Sequence, residues 1–148
     1  MEIDTTNERM SAFLRDNHDK VVGRWTDLVV VSARGRITRD EARRELEDLY
    51  ALVVRVLSGT DEHAAGELTA ALGELSRARA RDSYTPSETA LGVFSLKEAV
   101  YELVADSAEL VPEFLAFSRL IDDLGLRTFE EYSDAREQIG RASCRERV

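Results

Sequence analysis

The chain has 148 residues, of which 43% are hydrophobic and 33% charged, and a formal net charge of -9, which predicts one soluble globular domain. The acidic balance argues against a nucleic-acid-binding module, because such a surface needs clustered Lys and Arg to release counterions from phosphates. No apolar run approaches the roughly 18 residues of a membrane-spanning helix, and the N-terminus lacks a signal-peptide pattern, so we expect a cytoplasmic protein without membrane contacts.

The first two predicted elements are helices, because their apolar residues recur at helical spacing and do not alternate as in a strand. The first runs from about residue 6 to residue 16, and the second continues to about residue 32. One face of the second helix carries its apolar residues: Val21, Val22, Trp25, Leu28 and Val29. The segment SARGR, which contains Gly35, breaks this pattern and predicts a loop.

A third helix begins at a capping box, in which Thr38 caps the helix and Glu41 reaches back to the cap. It ends near Gly59, which supplies a left-handed C-terminal cap. A single apolar stripe runs along this helix: Ala42, Leu46, Leu49, Tyr50, Val53 and Leu57.

Two further helices follow. Thr60 or Asp61 is the predicted cap of the fourth helix, which ends within residues 79–82. The segment TPSE at residues 85–88 predicts a second capping box, with Pro at the first helical position, where its missing N–H is harmless. The fifth helix then continues to about Asp106.

The last helix begins near Pro112 and continues to residue 138. Its apolar residues follow steps close to a coiled-coil heptad: Phe114, Phe117, Ile121, Leu124, Thr128, Tyr132 and Ala135. Gly125 costs about 1 kcal/mol relative to Ala inside a helix and can mark a bend, but the apolar phase continues past it. Because caps and apolar faces agree with one another, the sequence predicts an all-α fold, a single compact bundle of about five to six helices with a long C-terminal helix.

The last ten residues, IGRASCRERV, are predicted to be an artefact. They back-translate to ATCGGAAGAGCGTCGTGTAGGGAAAGAGTG, the body of a common short-read sequencing adapter; the alternative is a basic disordered tail. We therefore assign residues 1–138 to the domain and residues 139–148 to adapter read-through, and we expect the natural protein to continue past residue 138. The only cysteine, Cys144, lies in the excluded segment, so no thiol chemistry is expected.

The sequence contains no nucleophile elbow, GxGxxG, P-loop or HExxH motif. We therefore expect a protein that is not an enzyme and that binds neither a cofactor nor a metal. Four residues are the candidates for contacting a ligand. His18 and Trp25 share the apolar face of the second helix, where a partly buried, hydrogen-bonded His18 is a simpler interpretation than a haem ligand.

The other two candidates, Arg79 and Lys97, fall on apolar arcs of their helices. A lone charge is costly to desolvate, so one interpretation is that each pairs with a carboxylate or extends to the rim of the core. Another is that both face a cavity and bind an anionic ligand. The third is that the predicted helix phase is displaced.

Four segments carry a resemblance to a known family: GRWTDLV, GRITRDEARRELEDLYALV, SRARARDSYTPSETALGVFSLKEAV and SRLIDDLGLRTFEEYSDARE. In this order, over about residues 13–137, they resemble the N-terminal domain of RsbRD-type RsbT co-antagonist proteins. The resemblance implies a non-haem globin-like sensor domain that dimerises. It also implies a following output domain, often a STAS domain, in stressosome proteins that hold the kinase RsbT until stress releases it.

The leading hypothesis is therefore a non-enzymatic sensor or regulatory module of a stress-signalling protein. It would form a homodimer and relay a signal through its C-terminal signalling helix to an output domain that the chain lacks. That output domain would contact other stressosome or signalling proteins. The alternatives are a helical module that binds a small anion through Arg79 and Lys97, and the input domain of a transcription regulator.

Overall fold

The computed structural model describes residues 6–146, and the regular structure within them is helical. The helices are, in chain order, α1 (Glu8–Asp16), α2 (His18–Ala33), α3 (Arg39–Ser58), α4 (Ala64–Arg81), α5 (Pro86–Val104) and α6 (Val111–Glu146). A short 3-10 turn at Ala108–Leu110 precedes α6. The predicted all-α bundle of five to six helices with a long C-terminal helix is confirmed.

Local hydrogen bonds explain most of the helix ends. The hydroxyl of Thr85 accepts the Glu88 N–H at 3.1 Å and the Glu88 carboxylate accepts the Thr85 N–H at 2.9 Å, which confirms the second capping box. At the first box, Thr38 accepts the Glu41 N–H at 3.2 Å, so one of its two bonds forms between these residues. Gly59 has a φ of 69°, as a left-handed cap requires.

The predicted start of the fourth helix was wrong. α4 begins at Ala64 and is preceded by His63, so neither Thr60 nor Asp61 is its cap. The Asp61 carboxylate instead accepts the His63 N–H at 2.9 Å and forms an ion pair with Arg55 of α3. Because this pairing holds Asp61 in a turn, the helix starts after the turn.

The core is built around α6, which packs mainly against α5 and α4, while α2 packs against α5 and α3. Phe117, Ile121 and Thr128 of α6 are fully buried. The backbone carbonyl of Thr128 accepts a hydrogen bond from the Ser76 hydroxyl of α4 at 3.2 Å. The predicted stripe of α6 thus faces the interior, apart from Phe114, which is half-buried.

Gly125 allows a close approach between two helices. α6 continues through residue 125, so the helical phase is kept at the glycine as predicted, and a bend at this position stays a prediction. A Cβ atom added there would overlap the ring of Phe94 on α5. The glycine therefore lets this aromatic ring lie directly on the backbone of α6.

Replacing Gly125 with Ala is expected to lower the free energy of unfolding by about 1 kcal/mol, because the loss of packing by the displaced Phe94 ring exceeds the gain in helix propensity. The matched control is Gly92→Ala on α5, where an added Cβ meets no atom within 4 Å. That variant is expected to gain about 0.5 to 1 kcal/mol. Urea unfolding of both variants measures the difference, and equal effects of the two would contradict this account.

Candidate functional site

The interior of the bundle is filled mainly by apolar side chains. A void at its centre has a volume of about 10 Å³, which is about the minimum that one water molecule needs. Its walls are apolar side chains from five helices: Trp25, Leu49, Val53, Leu68, Leu72, Val93, Leu96, Ile121 and Leu124. This void is too small for a metabolite. Within residues 6–146, no three His, Cys, Asp or Glu side chains are grouped to hold a metal ion.

Trp25 and His18 occupy structural positions on α2. Trp25 is 2% exposed, and its indole N–H donates to the Gly92 carbonyl at 2.8 Å, which joins α2 to α5. His18 is half-buried, with Nδ1 at 2.9 Å from an Asp19 carboxylate oxygen and its ring edge-on to Tyr50. The interpretation of a partly buried, hydrogen-bonded His18 is confirmed, and ligand contact by these residues stays a prediction.

Arg79 is buried near the end of α4, and its residue is only 7% exposed. One guanidinium nitrogen lies 2.5 Å from a carboxylate oxygen of Glu45 on α3, and the guanidinium carbon lies 5.0 Å from the centre of the Tyr84 ring. A buried guanidinium needs such a partner, because desolvating an unpaired charge costs several kcal/mol.

Lys97 of α5 forms an ion pair with Asp122 of α6 and lies 5.7 Å from the centre of the Phe94 ring. Pairing with carboxylates is therefore what the structure shows for Lys97 and for Arg79, and each pair joins two helices. An anionic ligand would have to displace a carboxylate at either position, so anion binding by these two residues stays a prediction.

A third cation, which the sequence analysis did not single out, joins three segments at one end of the bundle. Arg36, in the loop after α2, forms an ion pair with Glu88 and donates to the Ala33 and Ser83 carbonyls at 2.8 and 3.3 Å. Its guanidinium also lies 3.9 Å from the centre of the Tyr84 ring. The Arg36 hydrogen bond and then the Thr85 N–H lower the pKa of Glu88 to about 2.

Exposed apolar side chains mark one surface of the bundle. Among the described residues, six of the seven exposed large hydrophobic side chains lie on α5 and α6, and we call these the α5/α6 surface: Leu91, Tyr101, Val111, Leu115, Leu126 and Phe129. The four on α6 fall within about 60° of arc at 100° per residue, away from its buried stripe. The rings of Tyr101 and Phe114 lie 5.7 Å apart and connect the two helices across this surface.

Sequence reasoning missed the α5/α6 surface, although α6 carries its signal. A helix that packs with one face has one apolar stripe, and α6 has a second one at Val111, Leu115, Leu126 and Phe129. Ser118, Arg119 and Asp122 lie on or beside this arc between Leu115 and Leu126, so the exposed apolar residues of α6 form two groups. Large exposed apolar patches mark protein–protein contacts, and these two groups are the candidates for such a contact.

A family model described as the RsbT co-antagonist protein rsbRD N-terminal domain matches residues 19–147. The chain belongs to the RsbRD N-terminal domain family. No match was found among curated proteins or among solved structures. The resemblance drawn from the sequence motifs is thus confirmed.

The RsbRD N-terminal domain is a regulatory signalling domain of stress-response proteins and does not belong to a known class of enzyme. In this member the match begins in α2 and includes all of α3, α4 and α5. The match also extends past residue 138, so its end does not coincide with the predicted adapter junction. That junction stays a prediction. Within residues 6–146 the RsbRD domain has no helix with the length and apolar character that a bilayer crossing requires.

The stability of this RsbRD domain is expected to depend on the charge of Glu88. Its pKa of about 2 in the folded protein lies below the ordinary glutamate value of 4.5, so ionised Glu88 stabilises the fold above pH 4.5. That contribution is lost as the pH falls towards 2. The difference in thermal midpoint between the native chain and Glu88→Gln should therefore be largest near neutral pH and should shrink between pH 4.5 and 2.

The control for this measurement is Glu98→Gln, an exposed carboxylate on the same helix that lies outside the capping box. Its thermal midpoint is expected to follow that of the native chain throughout. A constant difference between the native chain and Glu88→Gln from pH 7 to pH 3 would contradict the assigned role of the Arg36–Glu88 pair.

Proposed function

We propose that this chain is the cytoplasmic sensor module of a stress-signalling protein of the RsbT co-antagonist type, that it works as a homodimer, and that it relays its state through α6 to a following output domain. The observation that carries the proposal is the combination of three roles in α6. This one helix supplies the centre of the core, an exposed apolar stripe and the C-terminal end of the bundle.

The family supports the coarse part of this proposal. Its members are described as N-terminal domains of RsbT co-antagonist proteins, and this description supports an output domain after α6. A STAS domain is our first expectation for it. The second expectation is the output domain of a transcription regulator. Either output domain could be joined through the same helix, α6.

The packing supports the relay. A helix buried among several others cannot shift or rotate without repacking, and packed cores switch between discrete arrangements more readily than they deform continuously. Since α6 contacts both α4 and α5, a change in either helix is expected to reach the C-terminal end of α6.

The α5/α6 surface supports dimerisation. A two-fold dimer presents the same patch on both subunits, so an apolar patch is complementary to its own copy. Most of this patch lies on α6, the helix that would carry the signal. The partner subunit would therefore contact α6 directly, and a movement of α6 would change the dimer interface. The small volume of the central void favours this mode of action over a ligand held at the centre of the bundle.

The Leu126→Glu variant is expected to be monomeric. Leu126 is 61% exposed on the α5/α6 surface, and two buried carboxylates at a two-fold interface would repel each other and be desolvated. Sedimentation velocity should give about 33 kDa, twice the chain mass of 16.6 kDa, for the native chain, and half of that for the variant.

The matched control is Val31→Glu. Val31 is 79% exposed but lies on α2, outside the α5/α6 surface, so this variant is expected to remain dimeric. A monomeric native chain, or loss of the dimer in Val31→Glu alone, would contradict the assigned interface.

Genomic DNA read across codon 138 tests the relay. The reading frame is expected to continue with residues other than IGRASCRERV, first along a helix in phase with α6 and then into an output domain. Genomic codons for IGRASCRERV followed by a stop, or a stop directly after codon 138, would contradict the proposal.

A further inference from the structure

The C-terminal half of α6 is attached to the bundle by a small apolar cluster that is separate from the main core. Its buried members, which we call the end cluster, are Ala33, Ala80, Tyr84, Tyr132 and Ala135. Beyond Thr128, the buried α6 side chains that the structure describes are Tyr132 and Ala135. This half of the helix therefore depends on the end cluster, whereas the first half is held by the main core.

One buried hydrogen bond joins α6 to the loop between α4 and α5. The Tyr132 hydroxyl donates to the backbone carbonyl of Tyr84, and the Tyr84 N–H donates to the Arg79 carbonyl at 3.1 Å. Tyr84 and Tyr132 are 7% and 4% exposed. Loss of the hydroxyl would leave a buried carbonyl without its partner, which is costlier than loss of an exposed bond.

The loop that accepts this bond is held in an unfavourable conformation. Ser83 has a φ of 66°, in the left-handed region that side chains with a Cβ rarely adopt. Arg36 holds the loop from outside, because it donates to the Ser83 carbonyl and covers the Tyr84 ring. A strained loop that is fixed by a few neighbouring contacts can relax when one contact is lost.

We propose that the Tyr132–Tyr84 hydrogen bond and the Arg36 contacts form a latch, and that opening this latch frees the C-terminal half of α6 while the main core stays folded. The core can persist because α6 anchors itself there independently through Phe117 and Ile121. This latch rests on the proposed relay. Its open and closed states would differ in whether the C-terminal half of α6 is held against the bundle, and the output domain would respond to that difference.

Amide hydrogen exchange of the 148-residue chain tests the latch. Tyr132→Phe removes only the hydroxyl, and exchange in residues 129–138 is expected to become on the order of tenfold faster. Amides of residues 117–124 should change less than about twofold. Tyr50→Phe is the matched control, because the Tyr50 hydroxyl donates to a buried carbonyl, that of Leu14, at the α1 end of the bundle. It is expected to speed exchange in α1 and to leave residues 129–138 unchanged.

Unchanged exchange in residues 129–138 of Tyr132→Phe would overturn the latch, and so would equal acceleration there in Tyr50→Phe. The Ser83→Gly variant is a second test, in which the expected change in exchange is opposite to that in Tyr132→Phe. Its outcome does not depend on whether the tyrosine variants fold. Glycine relieves the left-handed strain, so exchange in residues 129–138 should slow at least about twofold, and faster exchange would count against the latch. The genomic reading frame tests the relay separately: a latch without an output domain would refute only the relay.

Discussion

The structure depends on the burial of one helix between two others. α6 places Phe117 and Ile121 at full burial against α5 and α4, and burial of apolar side chains of this size is the dominant favourable contribution to folding. The close approach at Gly125 and the Ser76–Thr128 contact exist because α6 lies in this position. The same helix presents most of the α5/α6 surface and forms the C-terminal end of the bundle.

Charged groups in this protein connect helices at the edge of the core. Arg79 pairs with Glu45 between α4 and α3, and Lys97 pairs with Asp122 between α5 and α6. Arg36 joins the loop after α2 to Glu88 of α5. Removing one member of a buried pair leaves an uncompensated charge, which costs several kcal/mol. The void at the centre of the core has a volume of only about 10 Å³, so apolar packing and these charged pairs account for the contacts between the helices.

The sequence predicted the local features well and the long-range partners poorly. The Thr85 capping box, the Gly59 cap and the buried stripe of α6 depend on residues a few positions apart, so their patterns are visible in the sequence. The positions of Arg79 and Lys97 on apolar arcs were also visible, but Glu45 and Asp122 lie on other helices, and their proximity depends on how the helices pack. The Tyr132–Tyr84 bond uses a backbone carbonyl, which leaves no trace in residue identity. The predicted start of α4 was wrong because the Asp61 carboxylate pairs with Arg55 of α3 and does not cap the helix, and this pairing depends on how the helices pack.

Native-state hydrogen exchange of the unmodified protein, resolved to single amides, tests the central position of α6 most directly. Amides of residues 117–128 are expected to exchange only through global unfolding, at rates that match the free energy of unfolding measured in urea. Their rates should equal those of the slowest amides of α5. Exchange of residues 117–128 as fast as that of α1 would contradict the account, because α6 would then lie outside the stable core.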